Sequence, residues 1–372
     1  MRATVNKSIV LPVLSRIQGI TNRKTNLAIT TNVILTASAG GMTISATDLE
    51  TGYVGLYPAK VEAPGSIAIS SRKLFEIFRD YPFEEILLNE IENHWIEIGS
   101  KNVEYHIVGM NPEEFPAIPN IEGADLFEID SSVLAAMIAR SVVISAAADD
   151  RRAHIVGVHV ERAEEDGRRI FRMVSTDGSR LSKTDHVFEP GQHLPEFKNA
   201  LIPKKALAEA AKFMDSGEVI RLGFKDSNMI VKKDNETLVI RLLEGEFPKY
   251  RDIVMKPEGS QVVLDRAMFL MTLKRMSILS SEDYKGVIFN FSENLLTISS
   301  TNPELGESKE EIPIEFGAKP INVMFNPRFF IDTLNVVDED KVVLNIHSAE
   351  RPCLIEAERN KNYISVIMPM RI

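Results

Sequence analysis

FRMVSTDGS, Phe171–Ser179, reads as a strand that runs into a turn. The same phrase stands earlier as MTISATDLE (Met42–Glu50) and later as LTISSTNPE (Leu296–Glu304). Thr47, Thr176 and Thr301 are 129 and 125 residues apart, and one third of the 372-residue chain is 124. A period this long marks duplicated domains, because solenoid units run about 20–50 residues. Three copies of one domain build a framework more readily than a single catalytic cleft.

Other phrases keep the same order. An apolar helical run with a basic residue near its end opens each copy: IVLPVLSRI (Ile9–Ile17), VLAAMIARS (Val133–Ser141) and MFLMTLKRM (Met268–Met276), with Arg16, Arg140 and Arg275 in matching places. A second helix starts at SSRKLFEI (Ser70–Ile77), IPKKAL (Ile202–Leu207) and NPRFFI (Asn326–Ile331), where Ser, Asn and Pro suit a helix N-terminus. Glu114–Pro116, Glu246–Pro248 and Met368–Met370 recur near the copy ends. Between the helices, runs such as Trp95–Ile98, Val219–Phe224 and Val342–Ile346 alternate apolar with polar and are separated by Gly, Asn and Asp turns, which predicts antiparallel meanders. The fold class is α+β. Each copy holds two helices on antiparallel sheets of about eight strands, with the helices covering one sheet face. Turn-rich links at Pro119–Ala124 and Pro257–Ser260 place the domains at 1–124, 125–258 and 259–372.

Composition narrows the function classes. A hydrophobic share of 44% is that of a folded globular chain. Cys353 is the single cysteine, so an intrachain disulfide and a multi-cysteine metal site are excluded. Neither a signal core nor a run of 18 apolar residues is present, which leads to the expectation of a cytoplasmic protein without a membrane partner. The net charge of −10 argues against a general nucleic-acid coat. Basic residues nevertheless gather on the predicted helices, with Arg16, Arg140 and Arg275 recurring on the first and Arg72, Lys204 and Arg328 read as recurring on the second. Acidic residues crowd the strands and loops. A basic helical face on an acidic body can hold a polyanion while the outside repels it.

An enzyme finds little support. The chain lacks a phosphate-binding glycine loop, a dinucleotide fingerprint and a His-Glu-x-x-His helix. His154 and His159 lie five apart on a predicted strand and fall on opposite faces. Asp149–Arg152 reads as a solvated loop of offsetting charges. Thr176-Asp177-Gly178 recurs as Thr47-Asp48 and Thr301-Asn302, so it reads as a turn closed by an Asx hydrogen bond. Nucleophile, base and orienter do not converge, and neither cofactor nor metal is expected.

TDLE (Thr47–Glu50), TDGSRL (Thr176–Leu181), EFPKYR (Glu246–Arg251), ILS (Ile278–Ser280), NPE (Asn302–Glu304) and YISVIMPMRI (Tyr363–Ile372) together make the whole chain resemble the bacterial DNA polymerase III β subunit family, the sliding clamps. The resemblance implies three copies of one clamp domain closed head-to-tail as a homodimeric ring. Helices line the hole and strands form the outer sheet. It implies a processivity factor that encircles double-stranded DNA without sequence preference, contacting phosphates and not bases. The matching DNA-contact positions are Arg23, Lys24, Arg72 and Lys73 in the first copy and Arg152, Lys204 and Lys205 in the second.

The resemblance also implies a cleft that binds short motifs like Gln-Leu-x-Leu-Phe from DNA polymerase III, other polymerases, the clamp loader and repair proteins. Its matching residues are Arg152, Ile155, Thr176, Gly178, Arg180, Leu181, Pro248, Ile253, Asn326, Phe329, Val366, Met368, Pro369, Met370 and Arg371. Met370 and Leu181 are expected as walls, and Arg152, Arg180 and Arg371 as guides for the motif's Gln and carbonyls. Phe329, Ser179 and Asp252 stand where the family often has Tyr, His and a basic residue. Tyr105 and Ile107 of one chain are expected to pack near Ile278 and Leu279 of another, although Glu104 replaces a usually basic residue. The alternative is a ring-shaped interaction scaffold that does not encircle DNA.

Overall fold

The computed structural model describes residues 1–22, 25–100, 102–144, 150, 152–214, 217–255, 259–279 and 285–370. The repeat read from the sequence is a repeat of structure. Each copy opens with a strand and a helix: Arg2–Asn6 and Lys7–Thr21, Leu126–Asp130 and Ser131–Val142, Ser260–Asp265 and Arg266–Met276. A three-strand meander follows. Its strands are Asn32–Ser38, Gly41–Thr47 and Thr51–Tyr57 in the first copy, and Gly157–Glu165, Arg168–Thr176 and Arg180–Val187 in the second. The third copy has Val287–Ser292, Leu295–Asn302 and Gly306–Pro313. A strand then leads into the second helix: Gly65–Ser70 and Ser71–Asp80, Ala200–Pro203 and Lys204–Ala211, Ile321–Phe325 and Pro327–Asn335. A second meander ends each copy: Glu85–Glu90, Trp95–Ser100, Val103–Val108; Val219–Lys225, Asn228–Lys233, Glu236–Arg241; Lys341–Ile346, Cys353–Ala357, Tyr363–Ile367. The first copy adds the strand Ala59–Ala63.

Local chemistry explains these boundaries. Side-chain oxygens of Asn6, Ser70, Asp265 and Asn326 accept from backbone N–H groups in the first turn of the helices they precede. The recurring turn is closed as expected. Asp48 Oδ1 accepts from the Glu50 and Thr51 N–H groups, Asp177 Oδ1 from those of Ser179 and Arg180, and Asn302 Oδ1 from that of Glu304.

The chain divides into two compact units, Met1–Leu134 with Lys205–Leu242, and Ala135–Lys204 with Leu243–Ile372. The first holds two antiparallel sheets. One has five strands in the order Ala59–Ala63, Arg2–Asn6, Glu85–Glu90, Trp95–Ser100, Val103–Val108. The other has eight strands, and at its seam Glu236–Arg241 of the second copy pairs with Thr51–Tyr57 of the first, Leu238 opposite Tyr53. Burial of both residues welds the seam.

The second unit repeats the device. Its eight-stranded sheet pairs Arg180–Val187 of the second copy with Tyr363–Ile367 of the third, the buried Ser182 opposite the buried Ser365. Its four-stranded sheet ends on Gly306–Pro313. Under that sheet the rings of Phe269, Phe289, Phe325 and Phe330 lie with centroids 5.1–6.1 Å apart. Such aromatic pairs add about 0.5–1.5 kcal/mol each beyond the area they bury. Sharing a sheet in this way satisfies edge N–H and C=O groups that an isolated copy would leave open.

Candidate functional site

The turn Thr176–Arg180 is the nucleus of the candidate cleft. Thr176 Oγ1 donates to the Arg180 carbonyl at 2.7 Å and accepts from the Gly178 N–H at 3.1 Å. Gly178 has φ +90, a left-handed conformation that side chains resist. The C-terminal strand arrives alongside. Leu181 lies opposite Val366, and the Met368 N–H donates to the Ser179 carbonyl at 2.9 Å. Further on, the Met370 N–H donates to the Met324 carbonyl at 2.8 Å, just before the cap Asn326.

The helix that Asn326 caps brings in Phe329 and Asp332. The Arg180 guanidinium sits 4.4 Å from the centre of the Phe329 ring and donates to Asp332 Oδ2 at 2.7 Å. It also donates to Asp177 Oδ2 at 2.9 Å. Leu181 and Val366 share an apolar cluster with Val174, Leu354, Ile364 and Tyr250, against which Phe247 and Val254 pack. Tyr250 precedes the short helix Arg251–Val254, which leaves Ile253 exposed, and Pro248 is exposed as well. Met368 is exposed, Pro369 and Met370 are half-buried, and Arg371 lies outside the described residues. The surface therefore combines apolar side chains with a few fixed polar groups, as a peptide groove requires.

One expected role changes. Arg180 is buried and held by two carboxylates, so it braces the wall through Phe329 instead of guiding a ligand's carbonyls. Asp332 was missed in the sequence, although it stands three residues after Phe329, a spacing that puts both on one helix face. Arg152 is exposed and forked onto Asp150 at 2.7 and 3.1 Å, which holds the Asp150 carboxyl down at about 2.

A buried charge ladder, also missed, supports Tyr250. Glu161, Arg172 and Asp185 stand opposite one another on three neighbouring strands. Arg172 donates to Asp185 at 2.7 and 2.8 Å and to Glu165 at 2.7 Å. Tyr250 donates its hydroxyl to Glu161 at 2.6 Å, and His159 Nε2 lies 3.4 Å from the same carboxylate. Burial alone would raise the Glu161 carboxyl. Hydrogen bonds from His159 and Tyr250, with the charges of His159 and Arg251, outweigh it and hold the group at about 2. Burial and then Glu161 push the Tyr250 hydroxyl up.

The corresponding seam in the first unit is furnished differently. Gly52 lies opposite Val239 where Leu181 lies opposite Val366. A Cβ on Gly52 would come within 2.9 Å of Ile118 Cγ2, so the chain's own segment packs where the other seam carries a leucine. The remaining space, about 400 Å³, is lined by Glu50, Asp226, Asn228 and Arg241 among others.

The basic residues divide into two groups. Arg72 and Lys73 are exposed and share Glu76 at 3.0 and 2.9 Å; Lys205 is exposed too. Arg23 and Lys24 lie outside the described residues. Lys204 is a correction: it is only 7% exposed, and its Nζ donates to the carbonyls of Ile155 at 2.6 Å and Thr176 at 3.3 Å. The backbone bridges Ala68–Met110, Leu201–Leu243 and Met324–Met370 align the copies and put Lys204 level with Ser71 and Pro327, while Lys205 is level with Arg72 and Arg328. The sequence register was one residue off, and one residue on a helix turns a side chain about 100°.

The arginines on the first helices also have internal work. Arg16 pairs with Glu236, and Arg140 lies 5.3 Å from the centre of the Tyr363 ring and donates to Asp338 at 3.2 Å. Arg275 pairs with Glu310 at 2.9 Å. Arg16 and Arg140 each reach a seam strand lent by the next copy, whereas Arg275 reaches Gly306–Pro313, the edge strand of its own copy.

Three successive family models match the chain: the DNA polymerase III beta subunit N-terminal domain over residues 1–119, its central domain over 128–249 and its C-terminal domain over 253–371. The chain belongs to the DNA polymerase III beta subunit family. It is 25% identical over 377 residues to the beta sliding clamp of Pseudomonas putida and 27% identical over 374 residues to that of Chlamydia muridarum, with at least 99% of each chain covered. Its fold superimposes on the DNA polymerase III subunit beta of Pseudomonas aeruginosa with a TM-score of 0.91 at 25% identity over 100% of both chains. The Bacillus subtilis DNA polymerase sliding clamp shares the fold with a TM-score of 0.93 at 22% identity, over 100% of this chain and 99% of that one.

In this beta subunit chain Val103–Val108 and Gly306–Pro313 are both edge strands. The first carries Tyr105 and Ile107, the second follows Ile278 and Leu279, and Ile278 is 73% exposed. Glu97, Glu104 and His106, on the first sheet, each offer a ligand atom within 4.8 Å of the others, a donor set that could take a divalent cation; all three are solvent-accessible. Among the described residues no helix is long and apolar enough to cross a membrane.

Proposed function

We propose that this chain is a DNA sliding clamp. It acts as a processivity factor, without catalysis of its own, and works in the cytoplasm. The observation that carries the reading is the match of three successive beta subunit models along the whole chain, together with the repeated fold. The three domains are 1–124, 125–258 and 259–372. Arg23, Lys24, Arg72, Lys73, Arg152 and Lys205 meet duplex phosphates, and the exposure of Arg72, Lys73 and Lys205 supports that role. Such contacts carry no sequence information and suit sliding. The cleft around Thr176–Leu181, Phe329 and Val366–Met370 takes the short motifs of DNA polymerase III, other polymerases, the clamp loader and repair proteins.

The ring closes through a second copy. Two of three equivalent strand pairs form inside the chain, Thr51–Tyr57 with Glu236–Arg241 and Arg180–Val187 with Tyr363–Ile367. The third would join Gly306–Pro313 to Val103–Val108 of another chain, which leaves no seam strand open. Aligning the strands by their meander partners puts Ser308 opposite Tyr105, Lys309 opposite Glu104 and Glu307 opposite His106. Lys309 thus offsets the charge of Glu104.

The test is retention on nicked circular against linear duplex DNA after loading. The native protein is expected to stay on the circle and leave the linear form at high salt. Replacing Arg72, Lys73 and Lys205 by Ala should flatten the log–log salt dependence of DNA association by about 0.9 for each phosphate no longer neutralised, equally for all sequences. Equal retention on both forms, or a loss confined to one base sequence, sinks the proposal.

A further inference from the structure

Lys204 holds a position that the other copies fill with Ser71 and Pro327, both buried and neither charged. The fold therefore does not need a cation there. In the second copy alone, a buried ammonium joins two carbonyls, Ile155 at 2.6 Å and Thr176 at 3.3 Å. Thr176 opens the turn at the nucleus of the candidate cleft, Ile155 is a buried residue that the resemblance assigns to it, and the two come from different segments. Ile155 lies in the short helix Ala153–Val156, and Thr176 ends the strand whose turn fixes Arg180. A charge-assisted hydrogen bond is roughly twice as strong as a neutral one, so removing the charge loosens the tie without removing the fold.

We infer that Lys204 is a positioning residue for the partner-peptide cleft: its buried ammonium clamps the Ile155 and Thr176 segments into the shape that receives a peptide. The inference rests on the reading of this surface as the partner cleft. Burial pushes the ammonium down from 10.5 to about 8. Asp177 and Asp150 favour its charge and Arg180 opposes it. Arg152 and His154, at the short helix, are the other charged or titratable groups close by in sequence. The clamp therefore loosens in the mildly alkaline range.

Two readouts move in opposite directions. A lysine whose folded value lies below its unfolded one lends stability as pH rises from about 8 to 10.5, because the unfolded chain then holds the extra proton. Peptide affinity instead falls with the ammonium. The experiment titrates a fluorescein-labelled Gln-Leu-Ser-Leu-Phe peptide into the full-length protein between pH 7 and pH 9. A group at about 8 loses most of its charge across that range, so affinity should drop roughly tenfold. Unfolding by urea over the same range should show no loss of stability from this group. Lys204→Met should bind about tenfold more weakly at pH 7 with a flat profile, and its DNA salt dependence should be unchanged. His154→Gln should keep the native profile. A flat native profile overturns the inference, as does a native profile surviving in Lys204→Met. A fall lost in His154→Gln assigns the titration elsewhere and overturns it too. Absence of peptide binding at pH 7 overturns the cleft reading along with it. Should Lys204→Met fail to fold, the native and His154→Gln profiles decide.

Discussion

Glu161 shows how much one side chain can carry. It is 4% exposed, takes the Tyr250 hydroxyl and lies in a ladder with Arg172. Its carboxyl sits at about 2 in the folded chain against an ordinary 4.5. A depressed carboxylate contributes stability that is complete above its unfolded value and is lost as pH falls through its folded one. The contribution is on the order of 3 kcal/mol and should vanish between pH 4.5 and about 2. Urea unfolding across that window measures it. Glu161→Gln should remove most of the slope there, and an unaltered acid limb would show that other carboxylates dominate. At the same scale Lys204 and Lys205, adjacent in sequence, have opposite fates: one ties carbonyls together and its neighbour faces solvent.

Among the elements, the two seams obey one rule with different furniture. Gly52 admits Ile118, whereas Leu181 and Val366 form part of an open apolar wall. Gly52→Leu should therefore drive a side chain into Ile118 and cost about 1–3 kcal/mol, as overpacking does. Adding Ile118→Ala should return part of that loss, a coupling that a double-mutant cycle on urea midpoints would read. Strictly additive effects would mean that the two residues do not share the space. Arg16 on Glu236 and Arg140 beside Tyr363 make the same point for the helices, which grip the strand that the next copy lends.

For the whole molecule the question is closure. Ser308 and Tyr105 are level with Ser182 and Ser365, and with Tyr53 and Leu238, pairs that stand directly opposite each other across the two seams within the chain. By that pattern Ser308→Cys with Tyr105→Cys should yield a disulfide-linked dimer on a non-reducing gel, since the single native cysteine, Cys353, is buried. Ser308→Cys with Ile107→Cys, out of register, should not. Replacing Ile278 and Leu279 by Ala should shift dimer to monomer in sedimentation at sub-micromolar concentration. A dimer indifferent to both changes would place the interface elsewhere.

Threefold repetition, the α+β class, the Asx turns and the helix starts were all legible in the sequence. Each depends on spacing, capping or turn chemistry within a few residues, or on copies that can be laid over one another. The expected composition of the cleft came from a resemblance, and the fold brings Thr176–Leu181, Phe329 and Val366–Met370 together. The sharing of sheets between copies was not, because strand pairing joins Leu238 to Tyr53 and Leu181 to Val366 across gaps of well over a hundred residues. Roles that hinge on burial were hidden for the same reason. Whether Lys204 or Arg16 meets solvent or an internal partner depends on a rotation of about 100° per helical residue. For these two, as for Arg180 on its strand, the partners come from other segments. Sequence determined which elements form and how often they recur; tertiary structure decided which charges they leave exposed, because desolvation and pairing exist only once the segments have met.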